Sequence, residues 1–307
     1  MTTRSTYAEL PSRALIAVDG PDWRSFLHGM LTQNVETLAL GEARFAGLLT
    51  PQGRLIWDMF VIGRPEGAWL DVAREHREAI VQRLKMYRFR AKVEIAPDET
   101  PVSALFDPPP PGEAAEGRRQ LAPTEPADVN LLSGSATAPP AAEHLVVRDP
   151  RLHALGSRGY GAPAPAGAMV ADEAAYEAHR LVLGVPGPAD WGVEKTYPIE
   201  ANFDLLHGID FKKGCFVGQE TTSRMKRRGQ VKNRMLPITF DGAAPAPGAE
   251  VLAGELRAGE ALAGIEGRAM ALLRLDRIGG ELAVEGRTVR AERPAWLAEA
   301  LGEGEAA

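Results

Sequence analysis

The sequence of 307 residues has a formal net charge of −6 at pH 7, with 45% hydrophobic and 25% charged residues. This composition excludes an intrinsically disordered chain, and the acidic balance argues against a general nucleic-acid-binding protein. At this length we expect two or more domains. The start of the chain has no apolar core of the signal-peptide kind, and no apolar run approaches the roughly 20 residues that span a bilayer. The sequence therefore predicts a cytoplasmic protein with neither a nucleic acid nor a membrane as partner.

The first part of the chain mixes strand and helix patterns. A short strand, RALIAV, precedes an amphipathic helix at about residues 22–31, with Pro21 at a permitted first-turn position. Three strand patterns separated by PQG and RPEG turns follow within residues 43–73 and predict an antiparallel meander. A helix at about residues 75–86 and the strand AKVEIA complete a mixture that is typical of an α+β fold.

The later part of the chain changes character twice. Residues 107–128 are rich in proline and glycine, and we expect a mobile connection there. Two strand patterns, HLVVRDPR and ALGSRGYG, precede a helix in ADEAAYEAHRLVLG that ends at Gly184. The remaining sequence has short strands with frequent glycine, which predict a small barrel or sandwich. We therefore expect an α+β region over residues 1–235 and a C-terminal β-barrel domain over residues 236–307.

The single cysteine, Cys215, is the main candidate for chemistry. One cysteine cannot form an internal disulfide, and the six histidines are scattered without ligand spacing, so we expect no metal held by this chain alone. A lone cysteine is more often a buried apolar residue than a reactive one. Cys215, however, lies in FKKGCFVGQETTSRMKRRG, among cations and just before a helix predicted to begin near Gly218. Both features favour the thiolate, which is the nucleophilic form.

The residues after Cys215 leave alternatives open. Residues 224–234 contain six cations and no acid, which is either a solvated face or a site for an anionic ligand or partner. Gln219 and Glu220 are either early helix residues that serve as caps or hydrogen-bonding groups for a heteroaromatic ligand.

Several segments resemble one known family. The stretch KGCFVGQE resembles the Lys-Gly-Cys-Tyr/Phe-x-Gly-Gln-Glu signature of the YgfZ-type folate-binding proteins, which are relatives of the glycine-cleavage T-protein and act in iron–sulfur cluster maturation. The preceding Pro-x-Glu-Ala-Asn at residues 198–202, and the N-terminal VDGPDWRSFLHGMLTQNVETL and LLTPQGRLIWDMFV, also resemble that superfamily. The likeness covers most of residues 13–235.

The resemblance implies a ring-like α+β fold with a small C-terminal β-barrel around a channel that holds tetrahydrofolate or a one-carbon derivative. It implies iron–sulfur proteins or assembly factors as partners, and a transient contact between an iron–sulfur cluster and Cys215. The residues that it implies for folate binding are Tyr176, Glu200, Asn202, Lys213, Gly214, Gly218, Gln219, Glu220, Arg224 and Arg228. For Tyr176, the alternative is a core aromatic on the inner face of its helix.

Asp58 is the second candidate for chemistry. The resemblance places it where the T-protein keeps a catalytic aspartate, although Trp57 and Arg54 depart from the T-protein pattern. A carboxylate in a folate channel could assist proton transfer. From chemistry alone, an acid on a strand is more often a solvent-facing residue.

Two functions of different classes follow from these residues. The first is a folate-binding accessory protein that assembles, repairs or transfers 4Fe–4S clusters and uses Cys215. The second is a tetrahydrofolate-dependent aminomethyltransferase or related one-carbon enzyme that uses Asp58. A protein-binding module without chemistry is a third interpretation.

Overall fold

The computed structural model describes residues 5–107, 144–229 and 231–300. Within these residues the strands form two five-stranded sheets and one closed barrel. In chain order the strands are β1 Thr6–Glu9, β2 Arg13–Asp19, β3 Ala43–Leu49, β4 Leu55–Gly63, β5 Gly67–Ala73, β6 Glu94–Asp98, β7 Val102–Phe106, β8 Leu145–Arg148, β9 Ser157–Tyr160, β10 Met169–Ala171, β11 Asn233–Thr239, β12 Glu250–Ala253, β13 Leu256–Ile265, β14 Arg268–Arg274, β15 Leu282–Val284 and β16 Arg287–Ala291. The α-helices are α1 Trp23–Met30, α2 Arg77–Tyr87, α3 Glu173–Val182, α4 Gln219–Arg228 and α5 Ala295–Ala300.

The first sheet has the order β3-β4-β5-β2-β6 and is antiparallel throughout. The predicted meander of β3, β4 and β5 is confirmed. Every residue of β4 is buried because both faces of the strand are covered. Trp57 and Met59 face a core shared with α1 and α2, whereas Phe60 and Ile62 face a core shared with the second sheet. Successive side chains of β4 point to opposite faces of the sheet, so this one strand contributes to two cores.

The second sheet has the order β10-β1-β7-β9-β8, and β10 pairs in parallel with β1 while the other pairs are antiparallel. Helix α3 contacts β1, and Asp172 caps its first turn by accepting a hydrogen bond from the backbone N–H of Ala175 at 3.1 Å. The helix is followed by Gly184, whose φ of 65° suits a residue without a side chain at a helix end, as predicted.

The third unit is the closed barrel, with the order β11-β14-β13-β12-β15-β16, which confirms the predicted small β-barrel. Its first strand begins at Asn233; the predicted domain boundary at residues 235 and 236 stays a prediction. The predicted mobile connection lies outside the described residues except for Asp107. No helix in the described ranges has the length and apolar composition needed to cross a membrane.

A buried ionic cluster joins the two sheets. Its charged members are Arg13, Asp58, Asp71, Asp149, Arg151 and Arg158, all of them no more than 6% exposed. Asp71 is fully buried, accepts hydrogen bonds from the Arg13 Nε at 2.7 Å and the Tyr160 hydroxyl at 3.2 Å, and lies 3.7 Å from a guanidinium nitrogen of Arg158. Three arginines balance three aspartates, so each charge is compensated in a region from which water is largely excluded.

Replacing Asp71 with Asn should lower the free energy of unfolding by about 3–5 kcal/mol, because it leaves three buried arginine charges against two aspartates. Urea denaturation measures the change. The matched control is Asp19→Asn: the Asp19 carboxylate pairs with Arg64 at 2.9 Å but its side chain is 35% exposed. This control should cost no more than about 1 kcal/mol. Equal losses for the two variants would show that the cluster does not hold the sheets together.

Candidate functional site

Cys215 lies on the surface, in the loop that directly precedes α4. This loop, residues 210–218, is called here the Cys215 loop. The thiol is exposed, while the next side chain, Phe216, is 7% exposed and belongs to the core shared by the two sheets. The interpretation of Cys215 as a buried apolar residue is therefore wrong. Burial of Phe216 holds the backbone next to an accessible sulfur atom.

The Lys213 side chain ties the Cys215 loop to the end of α1. Its ammonium donates hydrogen bonds to the backbone oxygens of His28, of Leu31 at 2.6 Å and of Gln33 at 3.2 Å. Carbonyl groups at a helix C-terminus lack partners within the helix, and a cation there also faces the negative end of the helix dipole. Burial lowers the pKa of Lys213 to about 8. Lys213 was predicted to bind folate, but its donors are used inside the protein.

Gly218 locks the start of α4 onto the turn between β3 and β4. Its φ is 81°, and a Cβ atom there would lie 2.6 Å from the Thr50 carbonyl oxygen and 2.9 Å from the Cα atom of Gly53. Gly53 has a φ of 83°, and a Cβ atom on it would lie 3.1 Å from the Gly218 carbonyl oxygen. Neither position tolerates a side chain. Gly214, by contrast, is exposed, and a Cβ atom on it would meet only the His28 ring, at 3.7 Å.

Helix α4 begins at Gln219, as predicted, and carries its charges on the surface. The Glu220 carboxylate pairs with Arg224 at 2.5 Å, and both side chains are exposed. Gln219 is half-buried. The side chain of Arg228 lies outside the described residues. The Glu220 and Arg224 pair is an ordinary i, i+4 helix contact, and it engages two of the residues predicted to bind folate.

Arg234, the last of the six cations in residues 224–234, has a structural role. Arg234 is 3% exposed and donates to the Asp204 carboxylate at 2.8 Å and to the Asn202 side-chain oxygen at 3.1 Å. Asn202 is fully buried and donates to the Met235 carbonyl oxygen at 2.8 Å. The Glu200 carboxylate accepts from Asn233 at 3.1 Å. These contacts fasten β11 to the segment that precedes the Cys215 loop, so Asn202 and Glu200 serve the packing of the barrel.

Tyr176 and Asp58 both lie at the ionic cluster. The Tyr176 hydroxyl accepts hydrogen bonds from Arg151 at 3.1 Å and Arg158 at 3.0 Å, and the side chain is 2% exposed, which agrees with the alternative of a core aromatic. Asp58 is 4% exposed and lies 3.8 Å from the Arg13 guanidinium, so its interpretation as a solvent-facing acid is wrong. Burial raises the pKa of Asp58 against the opposing influence of Arg13.

The described residues contain no group of three or more His, Cys, Asp or Glu side chains placed to hold a metal ion. For folate, the polar side-chain atoms of Tyr176, Asn202 and Lys213 are bonded within the protein, and those of Glu200 and Arg224 are also engaged. These five of the ten residues that the resemblance implies for folate thus make contacts within the protein, and folate binding stays a prediction.

A second cationic segment, residues 83–92, was not singled out in the sequence. Its signal was present: RLKMYRFRAK has five cations, two aromatic residues and no acid. Helix α2 overlaps this segment, and the sequence pattern there predicted a helix rather than a binding surface. The ionic cluster was also not predicted, because its members are scattered from residue 13 to residue 158.

Comparison with known proteins gives three findings. The protein-family model named CAF17, C-terminal beta-barrel domain, matches residues 232–299. The human protein named iron–sulfur cluster assembly factor IBA57, mitochondrial, is 31% identical over 321 residues, covering 94% of this chain and 84% of the human protein. The IBA57 homologue of Neurospora crassa is 32% identical over 258 residues, covering 79% of this chain but 56% of the fungal protein. The chain thus spans little more than half the length of such fungal relatives.

The fold matches a solved structure, that of the glycine cleavage system aminomethyltransferase T from Bartonella henselae. The TM-score is 0.72 at 17% sequence identity, and the match covers 96% of this chain and 86% of that one. This confirms the predicted α+β fold of the T-protein type. The predicted cytoplasmic location is contradicted, because the human, mouse and fungal relatives are named mitochondrial proteins.

Replacing Lys213 with Met should lower the free energy of unfolding by about 2–4 kcal/mol, because buried carbonyl oxygens at the end of α1 lose their donor. The neighbouring exposed Lys212 gives the matched control, and Lys212→Met should change the stability by less than about 0.5 kcal/mol. Urea denaturation compares the two. A loss of the same size in both variants would contradict the anchoring role.

Replacing Gly218 with Ala should cost about 2 kcal/mol or more, because a side chain at positive φ is strained and the Cβ atom meets the backbone of the β3 to β4 turn. Gly214→Ala is the control and should lie within about 0.5 kcal/mol of the parent protein, since its Cβ atom meets only open space and a ring edge. Thermal unfolding measures the stability of both variants. Equal stability of Gly218→Ala and Gly214→Ala would contradict the close packing of α4 on the turn.

Proposed function

The chain belongs to the IBA57 family of iron–sulfur cluster assembly factors, and from this premise we propose that it acts in the assembly, repair or transfer of 4Fe–4S clusters with Cys215 as its functional thiol. The observation that carries the proposal is the exposure of Cys215 on a loop held by Lys213, Phe216 and Gly218. A thiol that served only packing would be buried. The narrower resemblance to the YgfZ type stays a prediction.

The cluster is cargo rather than a resident cofactor in this proposal. One thiolate supplies one of the four cysteine ligands that iron–sulfur clusters usually take. Since the described residues offer no metal-holding group around Cys215, the remaining ligands come from a second protein. The chain then contributes a single sulfur ligand to a cluster that is shared for the time of transfer, and an iron–sulfur protein or assembly factor is the partner.

Aminomethyl transfer is the alternative function, and it rests on fold likeness alone. Asp58, which the transferase hypothesis requires, is buried beside Arg13 and belongs to the ionic cluster that packs the two sheets. The hypothesis also requires that the purified protein release ammonia from an aminomethylated lipoyl carrier in the presence of tetrahydrofolate.

Cells that lack the chain and express Cys215→Ala should show several-fold lower activity of a 4Fe–4S dehydratase than cells that express the parent protein, because the cluster loses its ligand on the assembly factor. The control variant is Lys212→Ala, an exposed neighbour that should keep full activity. Both proteins should accumulate equally, since both side chains are exposed. Dehydratase activity that is the same with Cys215→Ala as with the parent protein would overturn the proposal.

Tetrahydrofolate binding stays a prediction of the resemblance, and the proposal gives folate no step. Titration with tetrahydrofolate, followed through tryptophan fluorescence, tests it. A saturable change that Arg224→Ala weakens about tenfold would support the predicted ligand set, since an arginine can pair with the carboxylates of a glutamate tail. No saturable change would remove the prediction without affecting the role of Cys215.

A further inference from the structure

Residues 83–92 form an exposed segment that is rich in positive charge, called here the basic lip. It contains the end of α2 and the turn into β6. Its cations are Arg83, Lys85, Arg88, Arg90 and Lys92, and all but the half-buried Arg83 are exposed. Within the described ranges, none of these five side chains forms an ion pair with a carboxylate, although the chain as a whole has an excess of acids.

Several arginines elsewhere on the surface are paired. Arg44 lies 2.6 Å from Glu42, Arg274 lies 2.7 Å from Asp276, and Arg287 lies 3.1 Å from Glu285. The basic lip differs from these sites because five cations within ten residues have no carboxylate partner in the described part of the chain. A concentration of uncompensated cations raises the local potential and attracts an acidic partner.

Phe89 stands at the centre of the basic lip. Its side chain is 85% exposed, and the backbone has a φ of 43°, which is unusual for a bulky residue. Met86, three residues before Phe89, is 70% exposed. The Phe89 ring meets the Tyr87 ring edge-on with centroids 6.4 Å apart, and Tyr87 in turn lies under the Arg83 guanidinium at 5.7 Å. A strained, exposed aromatic flanked by arginines has the composition of a binding hot spot.

The basic lip and the Cys215 loop lie at opposite ends of the same short helix. The Asp22 carboxylate, at the start of α1, accepts a hydrogen bond from the Lys92 backbone N–H at 2.7 Å. At the other end, the Lys213 ammonium binds the carbonyl oxygens of His28 and Leu31. Helix α1 has eight residues and is therefore about 12 Å long. A standard interface buries about 800 Å² on each partner, which is enough to span both features.

We infer that the basic lip binds an acidic surface of the iron–sulfur protein that shares its cluster with Cys215. This inference rests on the proposed function and adds to it the second contact and the charge of the partner. Phe89 provides the apolar anchor, and the surrounding cations steer and orient the acidic partner. RNA would also meet cations and aromatics, but the proposed transfer of a cluster at Cys215 favours an iron–sulfur protein as the occupant.

The test uses an acidic plant-type [2Fe–2S] ferredoxin as the probe and the full chain as its binding partner. Calorimetric titration at about 50 mM and about 200 mM salt gives the Kd and its salt dependence. Arg88→Glu together with Arg90→Glu should weaken binding at least about tenfold. Phe89→Asn should weaken it about fivefold, because asparagine tolerates the backbone angle but provides no apolar anchor.

The matched control reverses two exposed charges on the barrel, Arg257→Glu together with Arg290→Glu. It makes the same change in net charge and should alter the Kd less than about twofold. Unchanged thermal unfolding shows that the variants are folded. If the double variant at residues 88 and 90 does not fold, Lys85→Glu together with Lys92→Glu tests the same surface.

The inference is overturned if the parent protein does not bind the ferredoxin, if reversal at residues 88 and 90 leaves the Kd unchanged, or if a 20-nucleotide single-stranded RNA binds the lip more tightly than the ferredoxin does. Cys215→Ala should retain ferredoxin binding. Loss of dehydratase activity in Cys215→Ala together with no role for the lip would therefore remove only this inference. Lip-dependent binding with full activity in Cys215→Ala would instead remove the proposed function.

Discussion

The position of Cys215 depends on one interaction, the ammonium of Lys213 held by backbone carbonyl oxygens of His28, Leu31 and Gln33. Oxygens at the end of α1 have no partner within the helix, and the lysine two residues before Cys215 supplies it. The consequence extends along the loop: Phe216 enters the core, and Gly218 fits against the turn between β3 and β4. The sulfur atom is then exposed on a backbone that is fixed on both sides.

The interior places a second constraint on function. Arg13, Asp71 and Arg158 join the two sheets through buried charge pairs, and Asp58 and Tyr176 lie at the same cluster. Asp58, to which the resemblance assigns catalysis, and Tyr176, to which it assigns folate binding, are therefore surrounded by internal partners. Removing one buried charge leaves the others uncompensated, which explains how such residues can be retained for packing alone. Of the two candidates for chemistry, Cys215 is exposed and Asp58 is buried.

Much of the fold could be predicted from the sequence because the local signals were strong. Turn residues between alternating strands predicted the meander, Gly184 predicted the end of α3, and glycine-punctuated strands predicted the barrel. Cys215 was found through its motif. The partners of Lys213 and Asn202 could not be predicted, because Lys213 bonds to carbonyls 180 or more residues away and Asn202 bonds to β11. Chemistry alone favoured a solvent-facing Asp58, because a strand pattern does not show that both faces are covered.

We propose Cys215 as the functional group of this chain, and the absence of any other cysteine in the sequence allows a direct test. N-ethylmaleimide blocks this one thiol without a substitution. Blocked and mock-treated proteins are added to an extract that lacks the chain, and recovery of a 4Fe–4S dehydratase is measured. The mock-treated protein should restore the dehydratase, and the blocked protein should not. Equal recovery with both would contradict this role of Cys215.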